Sequence, residues 1–398
     1  MPARKIKRRV IDPVADFLQA ETTGGFALLA GAVVALVWVN LAGADSYESV
    51  WATELRIGIG DVAIDEDFRH WINDGLMVVF FFLISLEIKR ELVVGELRQP
   101  RAAALPIIAA LGGVIVPVAI FFALAGGGDA AEGWGIPMAT DAAFALGVLA
   151  ILGDRVGIGV KLFLVTIAVA DDVMAICVIA IAYAGDLSAG WLLAAFGGVA
   201  CVVAFRRLGV TAVAAYVPVG IAIWIATYES GVHATLAGVA LGLLTPAGSV
   251  GGRNVLEALE HRIHPVSSFV VLPLFALANA GVELGGSALS DSDGKRVAIA
   301  VAAALAAGKL VGIAGAALLA LRLRLGKLPE GVDLRGVVGA AALGGIGFTV
   351  SLFIAPLAYA DATLVEGAKV GILAGSVISA FAGVAILAPG GRHSTRRE

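Results

Sequence analysis

Runs of about twenty residues with almost no charge recur along nearly the whole chain, and lipid is the solvent that such runs require. They lie near 22–42, 71–88, 102–125, 134–153, 160–183, 190–205, 209–228, 231–246, 265–284, 297–320, 336–358 and 367–388. In hydrocarbon every backbone polar group must find its partner within the segment, so each run is expected to fold as a helix. Hydrophobic residues make up 59% of the 398 and charged residues 15%. Soluble domains carry roughly 25% charge. The fold class is therefore an all-α integral membrane protein with about twelve transmembrane helices. The expected organisation is a cytoplasmic N-terminal segment at 1–21, a membrane domain at 22–388 and a cytoplasmic tail at 389–398. A net charge of −4 speaks against nucleic acid as a partner. Cys177 and Cys201 sit in apolar runs and read as small buried hydrophobes, not as a disulfide or metal site.

Charge bias orients the spans. With the N-terminus inside, 22 of the 28 Lys and Arg fall in inner segments, five in outer loops, and one, Lys309, within a span. That is the positive-inside pattern, and it puts both termini in the cytoplasm. Trp38, Trp71, Trp134, Trp191 and Trp224 fall at outer span ends, as an aromatic belt does. Ala42-Gly43-Ala44 has the small-residue form of a signal cleavage site, but the run before it is long and 21 residues precede that run, so it reads as a retained span. Residues 10–21 read as a short amphipathic helix on the inner surface.

Ionisable groups inside spans are costly and mark ion pathways. Asp141 follows Pro137-Met138-Ala139-Thr140. Asp171 and Asp172 stand side by side. Lys309 follows Gly308, and Asp74 and Glu87 stand near the outer and inner ends of the second span. Three mid-span acids face one base. At most one pair neutralises, so two carboxylates must take a proton, hold a cation or meet water. Desolvation makes proton and cation alternatives of one another. Neighbouring helical residues point ~100° apart. One of Asp171 and Asp172 is thus expected to face a cation and the other a neighbour, with Lys309 as that neighbour. For Asp74 and Glu87, an ion-pair role and a pathway-lining role stand side by side.

Two spans carry helix breakers at matched positions. The fourth has Pro137 just ahead of Thr140-Asp141; the eleventh reads Gly344-Gly345-Ile346-Gly347-Phe348-Thr349. Glycines weaken a helix, and broken helices in corresponding places point to the binding site of a transporter. Close helix packing through small residues is the other reading of the glycine run. Spans 3–5 (about 102–183) would match spans 10–12 (about 297–388) as inverted repeats.

Over about 21–388 the chain resembles the NhaA-type Na⁺/H⁺ antiporters. The resemblance rests on Trp71-Ile72-Asn73-Asp74-Gly75-Leu76-Met77, Leu86-Glu87-Ile88-Lys89-Arg90-Glu91 and Pro137-Met138-Ala139-Thr140-Asp141. It rests also on Asp171-Asp172, Ser230-Gly231-Val232-His233-Ala234, Leu259-Glu260-His261 with His264-Pro265, Gly308-Lys309, and Gly345-Ile346-Gly347-Phe348-Thr349. It implies inverted-topology repeats with discontinuous helices 4 and 11 crossing at mid-membrane, in the bacterial inner membrane. It implies electrogenic export of Na⁺ or Li⁺ against entering protons, in the service of pH homeostasis, with no cofactor and no enzymatic reaction. Asp172 would be the main cation and proton carboxylate and Asp171 its partner, these two being the Na⁺ or Li⁺ ligands. Thr140 and Asp141 would lie beside the site, and Asp74 and Glu87 along the approaches. A homodimer through the loop 42–70 is also implied.

The resemblance further implies a pH response from the inner loop after the eighth span, which here holds Glu257, Glu260, His261 and His264. The stretch Ala247 to Leu259 is less basic than the family leads one to expect. For His233, helix packing and pH sensing are both open. A sodium-coupled organic-anion symporter is the alternative transporter, yet few mid-span Asn, Gln or Arg could bind its solute. Gly58-Ile59-Gly60-Asp61 matches an intramembrane protease pattern, but in a polar loop. An adjacent Asp pair on one helix also cannot form a facing dyad.

Overall fold

A computed structural model of the chain describes residues 23–59, 62–250, 253–285, 290–329 and 331–389. The expected amphipathic segment 10–21, Gly60 and Asp61 of the protease-like pattern, and the tail from 390 lie outside the described residues.

The helices run in chain order as α1 (Thr23–Ala42), α2 (Phe68–Val93), α3 (Ala102–Ala125), a broken α4 (Gly128–Met138 with Ala142–Leu152), α5 (Ile158–Ala182), α6 (Ala189–Arg207), α7 (Val213–Glu229) and α8 (Thr235–Leu244). They continue as α9 (Val255–Asn279), α10 (Ser292–Arg322), a broken α11 (Leu334–Leu343 with Phe348–Ala358) and α12 (Ala362–Leu387). Among the described residues eight helices are long and apolar enough to cross a membrane, or ten when each broken pair counts as one span. The other two, α7 and α8, have 17 and 10 residues. At 1.5 Å per residue, α8 covers only ~15 Å. All twelve expected segments are helical, but length alone supports ten.

Aspartate fixes several helix starts. Asp67, Asp291, Asp333 and Asp361 each accept a backbone N–H from the first turn of the helix that follows. Such caps satisfy donors that a helix cannot satisfy itself. Two helix starts, one of them capped by Asp361, shift the expected boundaries. α12 begins at Ala362, so Lys369, expected in an outer loop, lies within the helix and is buried. α9 begins at Val255, so Glu257, Glu260, His261 and His264 stand on a helix rather than in a loop. The residues expected to link α8 to α9 are reduced to a two-residue-per-strand hairpin, Ser249–Val250 with Arg253–Asn254.

The polar segment after α1 is also ordered. It forms a helix, Ala44–Trp51, and an antiparallel hairpin pairing β1 (Glu54–Ile59) with β2 (Val62–Asp67). Cys177 is exposed and Cys201 half-exposed, both unpaired, so the expectation of buried cysteines fails. A helix in a membrane is apolar on its outward face as well as its inward one, so hydropathy does not say which face a residue takes.

The centre of the bundle is packed through small residues. α3 and α10 cross at Gly112 and Gly312, where a Cβ on either would stand 2.2–2.3 Å from the other's carbonyl oxygen. Backbones approach that closely in membranes when both sides lack side chains. The order long, broken, long occurs twice, as α3–α4–α5 and α10–α11–α12.

Candidate functional site

The two breaks meet. α4 turns by 52° between its halves and α11 by 42°. The first half of α4 is a 3-10 helix of 11 residues that ends at Met138. Asp141 is then extended and caps the second half, its Oδ1 accepting from Phe144 N–H at 2.9 Å. The α11 break supplies what Asp141 lacks. Asp141 N–H donates to the Ile346 carbonyl at 2.6 Å. Thr349 N–H donates to Asp141 Oδ2 at 3.0 Å, and the Thr349 hydroxyl donates to the same oxygen. Thus Asp141 ties one broken helix to the other. The glycines of α11 serve close approach here: a Cβ on Gly345 would meet the Leu305 carbonyl oxygen at 2.4 Å and Ser379 Oγ at 2.3 Å.

Asp171 and Asp172 take opposite surroundings on α5. Asp171 is wholly buried, and its Oδ2 stands 2.7 Å from Lys309 Nζ, also wholly buried. Thr140 Oγ1 lies 2.7 Å from the same Asp171 oxygen and 2.8 Å from the Gly344 carbonyl oxygen. Lys309 Nζ also donates to the Met138 carbonyl and lies 3.3 Å from Thr140 Oγ1. A π-helical turn, Ala304–Gly308, comes directly before Lys309. Such turns cluster at functional positions in helices. The ammonium thereby meets the C-terminal end of the first α4 half, where helix carbonyls lack partners and the macrodipole is negative.

Asp172 instead lines a cavity of about 50 Å³ between α2, α4, α5, α9 and α11. That is room for a few water molecules. Glu87, Thr140, Asp141, Ser267, Ser268 and Thr349 line it too. Asp172 keeps 9% of its surface exposed while Asp171 keeps none. Desolvation penalises a bare carboxylate unless a proton, a cation or a hydrogen bond relieves it.

The remaining expected residues lie elsewhere. Asp74 lies near the N-terminal end of α2, in a separate recess with Glu66, His70, Trp224 and Tyr228. Glu260 accepts from Arg90 of α2, and His264 is buried one turn along. Glu257 and His261 are exposed on the same helix. His233 precedes α8, and its Nε2 stands 2.6 Å from the Tyr183 carbonyl at the end of α5. A carbonyl only accepts, so that nitrogen carries the proton. Burial pulls the His233 pKa below the usual histidine value, with the bond to Tyr183 opposing.

Sequence reasoning overlooked the roles of Thr349 and Ser267. Thr349 carries the hydroxyl that holds Asp141, and its only signal is a hydroxyl residue two positions after the last glycine of the run. Ser267 and Ser268 were signalled by two adjacent hydroxyls in an apolar stretch.

A multi-pass membrane bundle with two broken helices meeting beside buried carboxylates defines a secondary transporter, not an enzyme. A sequence profile described as Na⁺/H⁺ antiporter 1 matches residues 15–387. The chain is 46% identical to Na(+)/H(+) antiporter NhaA 2 of Pseudomonas syringae pv. syringae, the match covering 94% of each chain. It is 44% identical to Na(+)/H(+) antiporter NhaA 2 of Erythrobacter litoralis (95% of this chain, 94% of the relative). It is 41% identical to Na(+)/H(+) antiporter NhaA 3 of Frankia alni (97% and 90%). The chain belongs to the Na⁺/H⁺ antiporter 1 family.

Proposed function

We propose that the chain exports Na⁺, or Li⁺, in electrogenic exchange for protons, with Asp172 as the carboxylate for which cation and proton compete. The observation that carries this reading is the split between two adjacent acids. Asp171 is committed to Lys309, while Asp172 faces a cavity large enough for an ion and water. A bare carboxylate there holds Na⁺; a protonated one releases it. If the cavity opens to one side of the membrane at a time, competition becomes exchange. When more protons enter than Na⁺ leaves, the membrane potential adds ~2.3 kcal/mol per net charge per 100 mV.

Asp171 and Lys309 form the partner pair, and Asp171 takes a further proton if the pair parts. Thr140 and Asp141 shape the site at the crossing. Glu87 lines its inner approach and Asp74 the outer one. Glu260, His264, Glu257 and His261, at the start of α9, are the candidates for a pH response, with Arg90 linking that helix to α2. His233 is a weaker candidate. Repeats at about 102–183 and 297–388, within a membrane domain at 22–388, complete the reading. The charge bias supports an inner-membrane protein with both termini cytoplasmic. The helix Ala44–Trp51 and the strands β1 and β2 are the proposed contact of a homodimer, since among the described residues β1 and β2 pair only with each other and leave two strand edges.

The test uses everted membrane vesicles with an acid interior and a ΔpH-sensitive dye. Added Na⁺ or Li⁺ should collapse the gradient with the native chain and not with Asp172→Asn at equal membrane levels. An Asp172→Asn chain that still exchanges would overturn the assignment. If Na⁺ acts only alongside an organic anion, the symporter reading takes over.

A further inference from the structure

We infer that Ser267 of α9 is a ligand of the transported cation, completing from a second helix the site that Asp172 begins on α5. The inference rests on the reading of Asp172 above. Most of the other polar groups lining the cavity are engaged within the protein. The Asp141 carboxylate is taken by Phe144 and Thr349. The Thr349 hydroxyl donates to Asp141, and the Thr140 hydroxyl is engaged with Asp171 and Gly344. Ser267 differs. It is 0% exposed, it lines the same cavity, and among the described residues its Oγ has no hydrogen-bond partner.

Ser85, Thr235, Ser376 and Ser379 are also buried without a partner among the described residues, but of these five hydroxyls only Ser267 lines the cavity. Hydroxyls inside helices commonly bond back to the carbonyl four residues earlier, as Thr166 does to Leu162 and Thr227 to Ile223, at 2.9 and 2.7 Å. Ser267 does not; it opens a π-helical turn, Ser267–Val271, that reshapes the backbone at this point. A buried hydroxyl without a partner is costly and calls for an explanation such as a bound ion. Hard cations select oxygen donors, and a serine oxygen has two lone pairs to offer. A single carboxylate cannot fill such a shell. Ser267 adds a neutral oxygen without adding charge that would also attract a proton. It therefore favours the cation-loaded site over the protonated one and holds α9 to α5 while the ion is bound.

The experiment compares the native chain, Ser267→Ala, Ser267→Cys and Asp172→Asn in the vesicle assay, with Na⁺ titration calorimetry on purified protein. Ser376→Ala is the control. Its hydroxyl is equally buried and unpartnered but lies on α12, outside the cavity lining. Loss of one neutral ligand should raise the apparent KM and Kd for Na⁺ about five- to tenfold. The maximal rate should stay within about twofold, and Ser376→Ala should leave KM unchanged. Melting temperature should not fall in either Ser267 variant, because removing an unsatisfied hydroxyl relieves a cost. Cysteine keeps the size and replaces oxygen with soft sulfur, so it should behave like alanine. Unchanged Na⁺ affinity in both Ser267 variants, with Asp172→Asn inactive, overturns the role of Ser267 and leaves Asp172 standing. A native chain that neither exchanges nor binds Na⁺ overturns both.

Discussion

The two flanks of α5 at its middle carry the same chemical group and treat it in opposite ways. On one flank Asp171 is sealed from solvent and closed by Lys309 and Thr140. On the other, one residue along, Asp172 meets a cavity walled by α2, α4, α9 and α11. The helical turn of ~100° between them is enough to separate a dry ion pair from a wet carboxylate. The difference teaches that charge in a membrane interior is tolerated by two routes, a fixed counter-charge or an exchangeable one. Under the proposed function, only the second carries cargo.

The comparison is tested most severely by neutralising each acid in turn. Asp172→Asn should reduce exchange to vesicle background and leave thermal melting in detergent near native. Asp171→Asn should instead leave Lys309 buried without its carboxylate, at a stability cost of about 3–5 kcal/mol. Equal melting losses in the two variants would show that the flanks do not differ as described. Next, Asp171→Asn combined with Lys309→Met removes both charges at once. The double variant should recover most of the loss, ending within about 2 kcal/mol of native, because the buried pair pays its own desolvation. Recovery of stability without recovery of exchange would separate the structural and transport roles of the pair.

Smaller effects probe the crossing that holds both flanks. Thr349→Val removes the hydroxyl on Asp141 and should cost about 1.5–3 kcal/mol, the value of a hydrogen bond to a charged group. Its sign should be clear in a melting series against Thr166→Val, whose hydroxyl bonds only within its own helix. Gly312→Ala should cost about 1–3 kcal/mol by pushing α10 off α3, because its Cβ would sit 2.2 Å from the Gly112 carbonyl oxygen. The smallest effect belongs to His233, away from either flank. Its lowered pKa makes stability complete above the unfolded value of 6.5 and lost as pH falls from there through the folded value. His233→Gln keeps a donor for the Tyr183 carbonyl and cannot titrate. Its melting should therefore fall less between pH 7 and acid than that of the native chain, by under about 1 kcal/mol.

Much of this was written in one dimension. Lipid leaves the backbone no choice but helix, so twelve apolar runs announced twelve helical segments. Helix breakers announced the two interruptions, because proline and clustered glycine act locally. The adjacency of Asp171 and Asp172 meant that their side chains had to diverge, and the scarcity of mid-span cations made Lys309 the natural neighbour. Boundaries were harder to read. α9 starts at Val255 and α12 at Ala362 because a short hairpin and an aspartate cap end the preceding loops. Neither device shows in hydropathy, and so hydropathy puts Lys369 and the α9 histidines outside their helices.

Residue spacing left open which acid faces which flank, since helical phase is fixed by packing; in the sequence only the family resemblance offered an assignment. Tertiary structure turned Asp141 from a buried charge into the clasp between two broken helices, through bonds to residues about 200 positions away. It exposed Cys177, because apolar side chains face lipid and core alike and hydropathy cannot tell them apart. And it brought Ser267 into the lining of the cavity that Asp172 also lines, a meeting that no local pattern encodes, because contacts between distant segments depend on where every helix between them lies.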